Sequence, residues 1–177
     1  DTVIDAILDC IGQGGTLVAP TLTGTKHDSP DNPPVFDVRT SKSWTGVIPE
    51  TLRNRPGAKR SLHPTHSVAA LGPVAHQLIS GHEDAITPCG EGTPYVRLAE
   101  MQGKIIFCGV SLDSNTTFHS AEELAKVPYH LQPEATICQI GDYNGAKLVR
   151  RLYLHDWGTP RRFGDYIENL ETEGILR

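Results

Sequence analysis

Apolar and polar positions alternate along this chain in two periods, and each switch between them marks the edge of a short element. Val3, Ile4, Ile7, Leu8 and Ile11 recur on one face of a first helix, with Thr2 as its cap and Gly12–Gly15 as its end. Thr16–Ala19 is apolar without alternation and is stopped by Pro20, the pattern of a buried strand. Residues 21–34 are polar and rich in turn formers, which predicts a long loop of the kind that carries function. A second helix is expected over Ser43–Asn54, interrupted early by Pro49. Ser67–Leu71 reads as a strand, Pro73–Ile79 as a helix with proline in its first turn, and Thr93-Pro94 as the start of a helix through Met101. The apolar run Lys104–Val110 predicts another buried strand, feeding a helix that carries His119. Asp142-Tyr143-Asn144-Gly145 between the runs Ala135–Ile140 and Lys147–Leu154 is a hairpin signal, and Phe163–Glu173 a closing helix. Helices alternating with short buried strands, plus one hairpin, specify an α/β fold with a mixed sheet.

Composition narrows the picture little. A chain of 177 residues, 38% hydrophobic and 21% charged, is a single domain able to bury its own core. The formal charge of -5 argues against non-specific nucleic-acid binding and suits a cationic ligand. No apolar run reaches membrane-spanning length and no signal segment opens the chain. Cys10, Cys89, Cys108 and Cys138 are scattered, which predicts reduced, mostly buried thiols in a cytoplasmic protein. The chain starts at Asp1, inside a helix, and reads as an excerpt of a longer protein.

The chemistry concentrates in Asp113-Ser114-Asn115-Thr116-Thr117-Phe118-His119-Ser120-Ala121-Glu122. Residues three apart share a helical face, so His119 and Glu122 can meet, and a carboxylate beside an imidazole fixes its tautomer and raises its basicity. Unpaired N–H groups where the helix starts suit a developing negative charge. The plainer alternative is a capped helix with His119 on its surface. Ser61-Leu62-His63-Pro64-Thr65-His66-Ser67 offers two histidines, but no third ligand in close spacing, so no metal is expected. Asp37 either faces a cationic ligand or pairs with Arg39, and Glu50 is equally ambiguous. Arg53–Arg60, with four cations in eight residues, reads as a solvated charged turn in preference to a phosphate site.

Five segments in consistent order resemble the aminoglycoside 3-N-acetyltransferase family. They are Gly15-Thr16-Leu17-Val18-Ala19-Pro20-Thr21, Phe36-Asp37-Val38-Arg39-Thr40 with Ser43-Trp44, His63-Pro64 with Ser67, Gly90-Glu91-Gly92-Thr93-Pro94, and Asp113-Ser114-Asn115-Thr116 running into His119 and Glu122. The resemblance implies a three-layer αβα fold. It implies one acetyltransferase domain over residues 1–177 that lacks the family's N-terminal strand, with its His-Ser-Ser run, and the extreme C-terminus.

By the same resemblance the reaction is acetyl transfer from acetyl-CoA to the 3-amino group of a deoxystreptamine aminoglycoside. His119 is the implied general base and Glu122 its orienting partner. His63, Ser67, Ser114, Asn115 and Thr116 line the coenzyme and carbonyl side. Asp37, Glu50 and Asp113 face the cationic sugar. The partners are these two small molecules, with no nucleic acid and no membrane, for a monomer or homodimer. Three alternatives stay open: a relative acylating another amine, a metal-dependent hydrolase using His63, His66, His119 and Asp113, and a non-catalytic ligand-binding module.

Overall fold

The computed structural model describes residues 2–175. Three strands, β1 (Leu17–Pro20), β4 (Val68–Leu71) and β3 (Lys59–Arg60), form an antiparallel sheet in the order β1-β4-β3. Strand periodicity decides what each face of β4 meets. Val68 and Ala70 point to one face, where α3 (Ala75–Ile79) and α4 (Pro94–Glu100) supply Ala75, Leu78, Ile79 and Tyr95. Ala69 and Leu71 point to the other, where Ile4 of α1 (Thr2–Ile11) and Leu52 of α2 (Val47–Arg53) pack. Helices therefore cover both faces, the three-layer arrangement expected.

A second sheet, β2 (Val35–Asp37), β5 (Leu131–Gly141) and β6 (Lys147–His155), is mixed: β2 runs parallel to β5, and β5 and β6 form the hairpin. Phe36, Val38, Cys138, Ile140, Leu152 and Leu154 make its core. The α/β class holds, with the strands divided between two sheets.

Arg60 and Tyr143 join the sheets. The Tyr143 hydroxyl, in the hairpin turn, accepts the Arg60 N–H at 2.5 Å and donates to the Arg60 carbonyl at 2.9 Å. The buried Arg60 guanidinium donates to Thr21 Oγ1, Ser67 Oγ and the carbonyls of Ser41 and Thr21, and lies 4.9 Å over the Phe36 ring. Burial lowers its pKa to about 10, so it remains charged at neutral pH. The expected solvated turn of cations is thus corrected: Arg60 is internal, Arg53 pairs with Glu50 and Arg55 with Asp5. Tyr143→Phe removes both bonds and leaves the Arg60 peptide groups unpaired. The expected loss is about 1–3 kcal/mol, read as a fall in Tm of several degrees with near-parental activity.

Other expectations need revision. Residues 104–110 form no strand: Ile105, Ile106 and Val110 are exposed, and no described strand lies beside them to accept their backbone bonds. An apolar run encodes a wish for burial but not the neighbour that provides it. Pro49 does not interrupt α2. It sits in the first helical turn, where its missing N–H has no intrahelical partner to lose. The strands at Val35–Asp37 and Lys59–Arg60 are too short and polar to show in the pattern. All four cysteines are free, but Cys10 and Cys108 are exposed, and only Cys89 and Cys138 are buried. Among the described residues no helix is long and apolar enough to cross a membrane.

Candidate active site

A 3-10 turn at Leu112–Ser114 leads into α5 (Phe118–Leu124). The junction is tightly self-bonded. Asn115 N–H donates to the Leu112 carbonyl, Phe118 N–H to Asn115, His119 N–H to Thr116, and Thr117 N–H to Asn115 Oδ1 at 3.1 Å. The expected free N–H groups at the helix start are therefore already satisfied. The hydroxyls of Ser114, Thr116 and Thr117 and the Asn115 side-chain amide are the donors left there.

The helical spacing brings His119 and Glu122 together: His119 Nδ1 lies 2.6 Å from Glu122 Oε2. A carboxylate accepts only, so Nδ1 carries the proton and Nε2 keeps its lone pair. Phe163 packs edge-on against the imidazole with centroids 5.4 Å apart. Burial lowers the His119 pKa while the bond to Glu122 opposes that shift, so the ring is neutral at pH 7.

Four further residues, His130, Glu123, His155 and Arg161, complete the cluster, and sequence reasoning missed all of them. His130 Nε2 donates to Glu123 Oε1 at 2.9 Å, and that oxygen also accepts the Cys89 N–H at 2.9 Å. His130 Nδ1 approaches Glu122 Oε2 at 3.1 Å but is poorly aligned and has no hydrogen-bond partner. His155 lies 4.6 Å from His119 and 4.8 Å from His130 between ring centroids. Arg161 Nε stands 3.4 Å from Glu122 Oε1, balancing its charge. A signal for the His130–His155 meeting was present. The hairpin turn pairs the start of β5 with the end of β6, and Leu131 pairs with His155. The 25-residue separation hides this from any local motif.

His63 and Ser67 are fully buried; Ser67 Oγ and His63 Nδ1 are bonded internally, while His63 Nε2 is buried without a hydrogen-bond partner. His63 Nδ1 accepts the His66 N–H at 3.0 Å, and its ring stacks on His82 at 4.6 Å. Ser67 Oγ donates to the Thr21 carbonyl and accepts from Arg60. Neither presents an atom at the surface for a coenzyme. Asp37 is held by Arg39 in a bidentate pair that pulls its pKa down to about 2. Glu50 is held by Arg53 and the Ser43 N–H, with the same result, also about 2. Both charges are thus compensated within the chain. Asp113 is exposed and accepts the Gly164 N–H at 2.8 Å. Ser114 is also exposed, Thr116 half-buried and Asn115 buried. The segment at Ser43-Trp44 does reach the cluster, through Trp44 to Trp157 at 6.3 Å and Trp157 to His155 at 5.0 Å.

The four donors of the metal-hydrolase alternative are not assembled. His63 faces His82, and Asp113 serves Gly164. Gly90 has a role that explains its motif: a Cβ there would stand 2.5 Å from Glu123 Oε2 and 2.6 Å from Thr87 Oγ1. Only glycine lets this carboxylate seat against the loop. A groove of about 730 Å³ runs between α4 and α5, lined by Tyr95, Val96, Thr117, Ser120, Ala121 and Leu124. It lies on the face of α5 opposite His119, as the helical spacing of these residues requires.

The sequence profile described as aminoglycoside 3-N-acetyltransferase matches residues 1–177. The chain is 38% identical over 161 residues to aminoglycoside N(3)-acetyltransferase IV of Salmonella sp, covering 91% of this chain and 58% of that protein. It is 36% identical to aminoglycoside N(3)-acetyltransferase VIII of Streptomyces fradiae, covering 72% of this chain and 49% of the other. The chain thus spans about half the length of these curated relatives. Among solved structures, AAC-IIIb in its binary complex with CoASH superimposes with a TM-score of 0.77 at 29% identity, covering 98% of this chain and 72% of that one. A mutant of AAC(3)-IVa in complex with a gentamicin gives 0.76 at 31% identity, covering 97% and 62%. The motifs, the fold and the His119–Glu122 pair converge with these likenesses on one conclusion: the chain belongs to the aminoglycoside 3-N-acetyltransferase family.

Proposed function

We propose that this chain carries the base of an acetyltransferase that moves an acetyl group from acetyl-CoA to the 3-amino group of a deoxystreptamine aminoglycoside. The observation that carries the reading is the 2.6 Å contact between His119 Nδ1 and Glu122 Oε2, which leaves Nε2 as a lone-pair acceptor on a neutral ring. An aminoglycoside amine is protonated in water, and the ammonium must shed a proton before it attacks the thioester carbonyl. His119 Nε2 accepts it, and Glu122 stabilises the imidazolium that results. The amine nitrogen bonds to the acetyl carbon, the C–S bond breaks, and the coenzyme thiolate departs with a proton. Attack is direct within a ternary complex.

On this reading Ser114 and Thr116, through their hydroxyls, and Asn115 at the junction serve the coenzyme and oxyanion side. His63 and Ser67 act there by shaping the wall, since both side chains are fully buried. Exposed Asp113 is the carboxylate best able to meet a cationic sugar, whereas Asp37 and Glu50 hold the Arg39 turn and the Trp44 segment. Relatives of this chain bind coenzyme A and gentamicin in their solved structures, which supports the choice of both substrates. The need for acetyl-CoA places the reaction in the cytoplasm, where a monomer or homodimer carries it out.

The test is thiol release from acetyl-CoA with gentamicin-type acceptors, with intact-mass analysis of the product. One acetyl group added to the drug is expected. Thiol release that does not depend on the drug, or none with any aminoglycoside, argues against the assignment. Glu122→Gln keeps the imidazole in place but removes the charge that supports its cationic form. It should lower kcat by about tenfold or more, less than loss of the base itself, with a small change in KM for acetyl-CoA.

A further inference from the structure

We infer that His119, His130 and His155 form a binding site for a divalent transition-metal cation. One ring nitrogen from each lies within 4.8 Å of those of the other two. A tetrahedral zinc with bonds of about 2.0–2.1 Å needs ligand nitrogens about 3.3 Å apart, so each ring has to move by less than about 1 Å.

The outer contacts are those that a metal-bound imidazole uses. His119 gives its Nδ1 proton to Glu122, and His130 gives its Nε2 proton to Glu123, so each ring has its other nitrogen free for a metal. In this cluster His130 Nδ1 and His155 Nδ1 are buried without a hydrogen-bond partner. Buried lone pairs of this kind are costly unless something accepts them, and a cation does. A set of imidazole ligands favours a borderline-soft dication such as Zn²⁺ over Mg²⁺ or Ca²⁺, which prefer oxygen ligands. Chain position explains why no motif shows the site. Its ligands come from α5, the residue before β5 and the end of β6.

On the acetyl-transfer reading, on which this consequence rests, the metal takes the same His119 lone pair that accepts the proton. Occupancy therefore switches the base off. The site is inhibitory and needs no metal for the reaction.

The test is titration of metal-free protein with Zn²⁺ against a coloured zinc chelator, together with the visible spectrum after Co²⁺ is added. One equivalent of Zn²⁺ per chain and a four-coordinate Co²⁺ spectrum are expected. His155→Phe and His130→Gln should each weaken uptake by more than about tenfold, with thermal melts confirming that the variants fold. His76→Ala, at an exposed position on α3, should bind as the parent does. Failure of the parent to take up one equivalent overturns the proposal, as does uptake unchanged in both cluster variants. This titration needs neither acetyl-CoA nor drug, so its outcome is independent of the acetylation assay. Zinc uptake by a protein that does not acetylate overturns the acetyl-transfer reading and leaves the site standing. In an acetylating protein, uptake without inhibition overturns the placement at His119.

Discussion

His119→Ala lowers turnover of acetyl-CoA and aminoglycoside by about 100- to 10,000-fold, the usual cost of losing a general base. The loss falls on kcat, because His119 meets the amine proton and contributes little to holding the coenzyme. KM for acetyl-CoA should move by less than about threefold. Steady-state kinetics with chelator present check both numbers, and unchanged kcat removes His119 from the mechanism. The parent should keep its rate to slightly acid pH. Burial lowers the His119 pKa from its ordinary 6.5, so the ring stays an acceptor below the pH at which a free histidine is half-charged. An acid limb above pH 6.5 contradicts that environment.

The second large effect is on stability. His63, His66 and His82 are buried, and burial pushes all three down, His82 to about 3. His155 shifts the same way, to about 2, for the same first cause. The sign follows from proton binding. Below pH 6.5 the unfolded chain binds protons at these imidazoles while the folded chain refuses them, so stability present above 6.5 is lost as pH falls. At pH 5 each such histidine costs about 2 kcal/mol, from an unfolded pKa of 6.5. The trio alone then removes about 6 kcal/mol, comparable with the whole stability of many domains, about 5–15 kcal/mol.

The paired carboxylates Asp37 and Glu50, held near 2, lose their contribution only below their unfolded values of 3.8 and 4.5. The two mechanisms therefore occupy separate pH windows. Denaturant unfolding in chelator at pH 7.5 and pH 5 reads the difference. Equal stability at the two values contradicts buried neutral histidines.

Much of the site was legible locally. The three-residue spacing of His119 and Glu122, read as a helical face, is the contact found at 2.6 Å. The Asp142–Gly145 turn gave the hairpin, and Asp37 with Arg39 formed the local pair that was one of its two readings. His63 and Ser67 were harder to place. Their neighbours in sequence do not reveal that Arg60 and His82 fill the space around them. The hairpin register hints that His130 and His155 meet, but nothing local joins that pair to Glu123 and His119, because the elements that carry them meet only after the hairpin folds back on α5.

By itself, the sequence determined whatever depends on residues within a turn or two of each other. That covers the helix that pairs His119 with Glu122, the hairpin turn, the short apolar run that forms β4, and the family's motifs. Backbone geometry links such residues directly, so their spacing is their distance. Tertiary structure decided which apolar run found a partner strand, which charges were spent on neighbours, and which histidines converged on His119. These outcomes depend on contacts between segments far apart in the chain. Their distances are set by the packing of two sheets and their helices, a property of the whole fold that no local pattern contains.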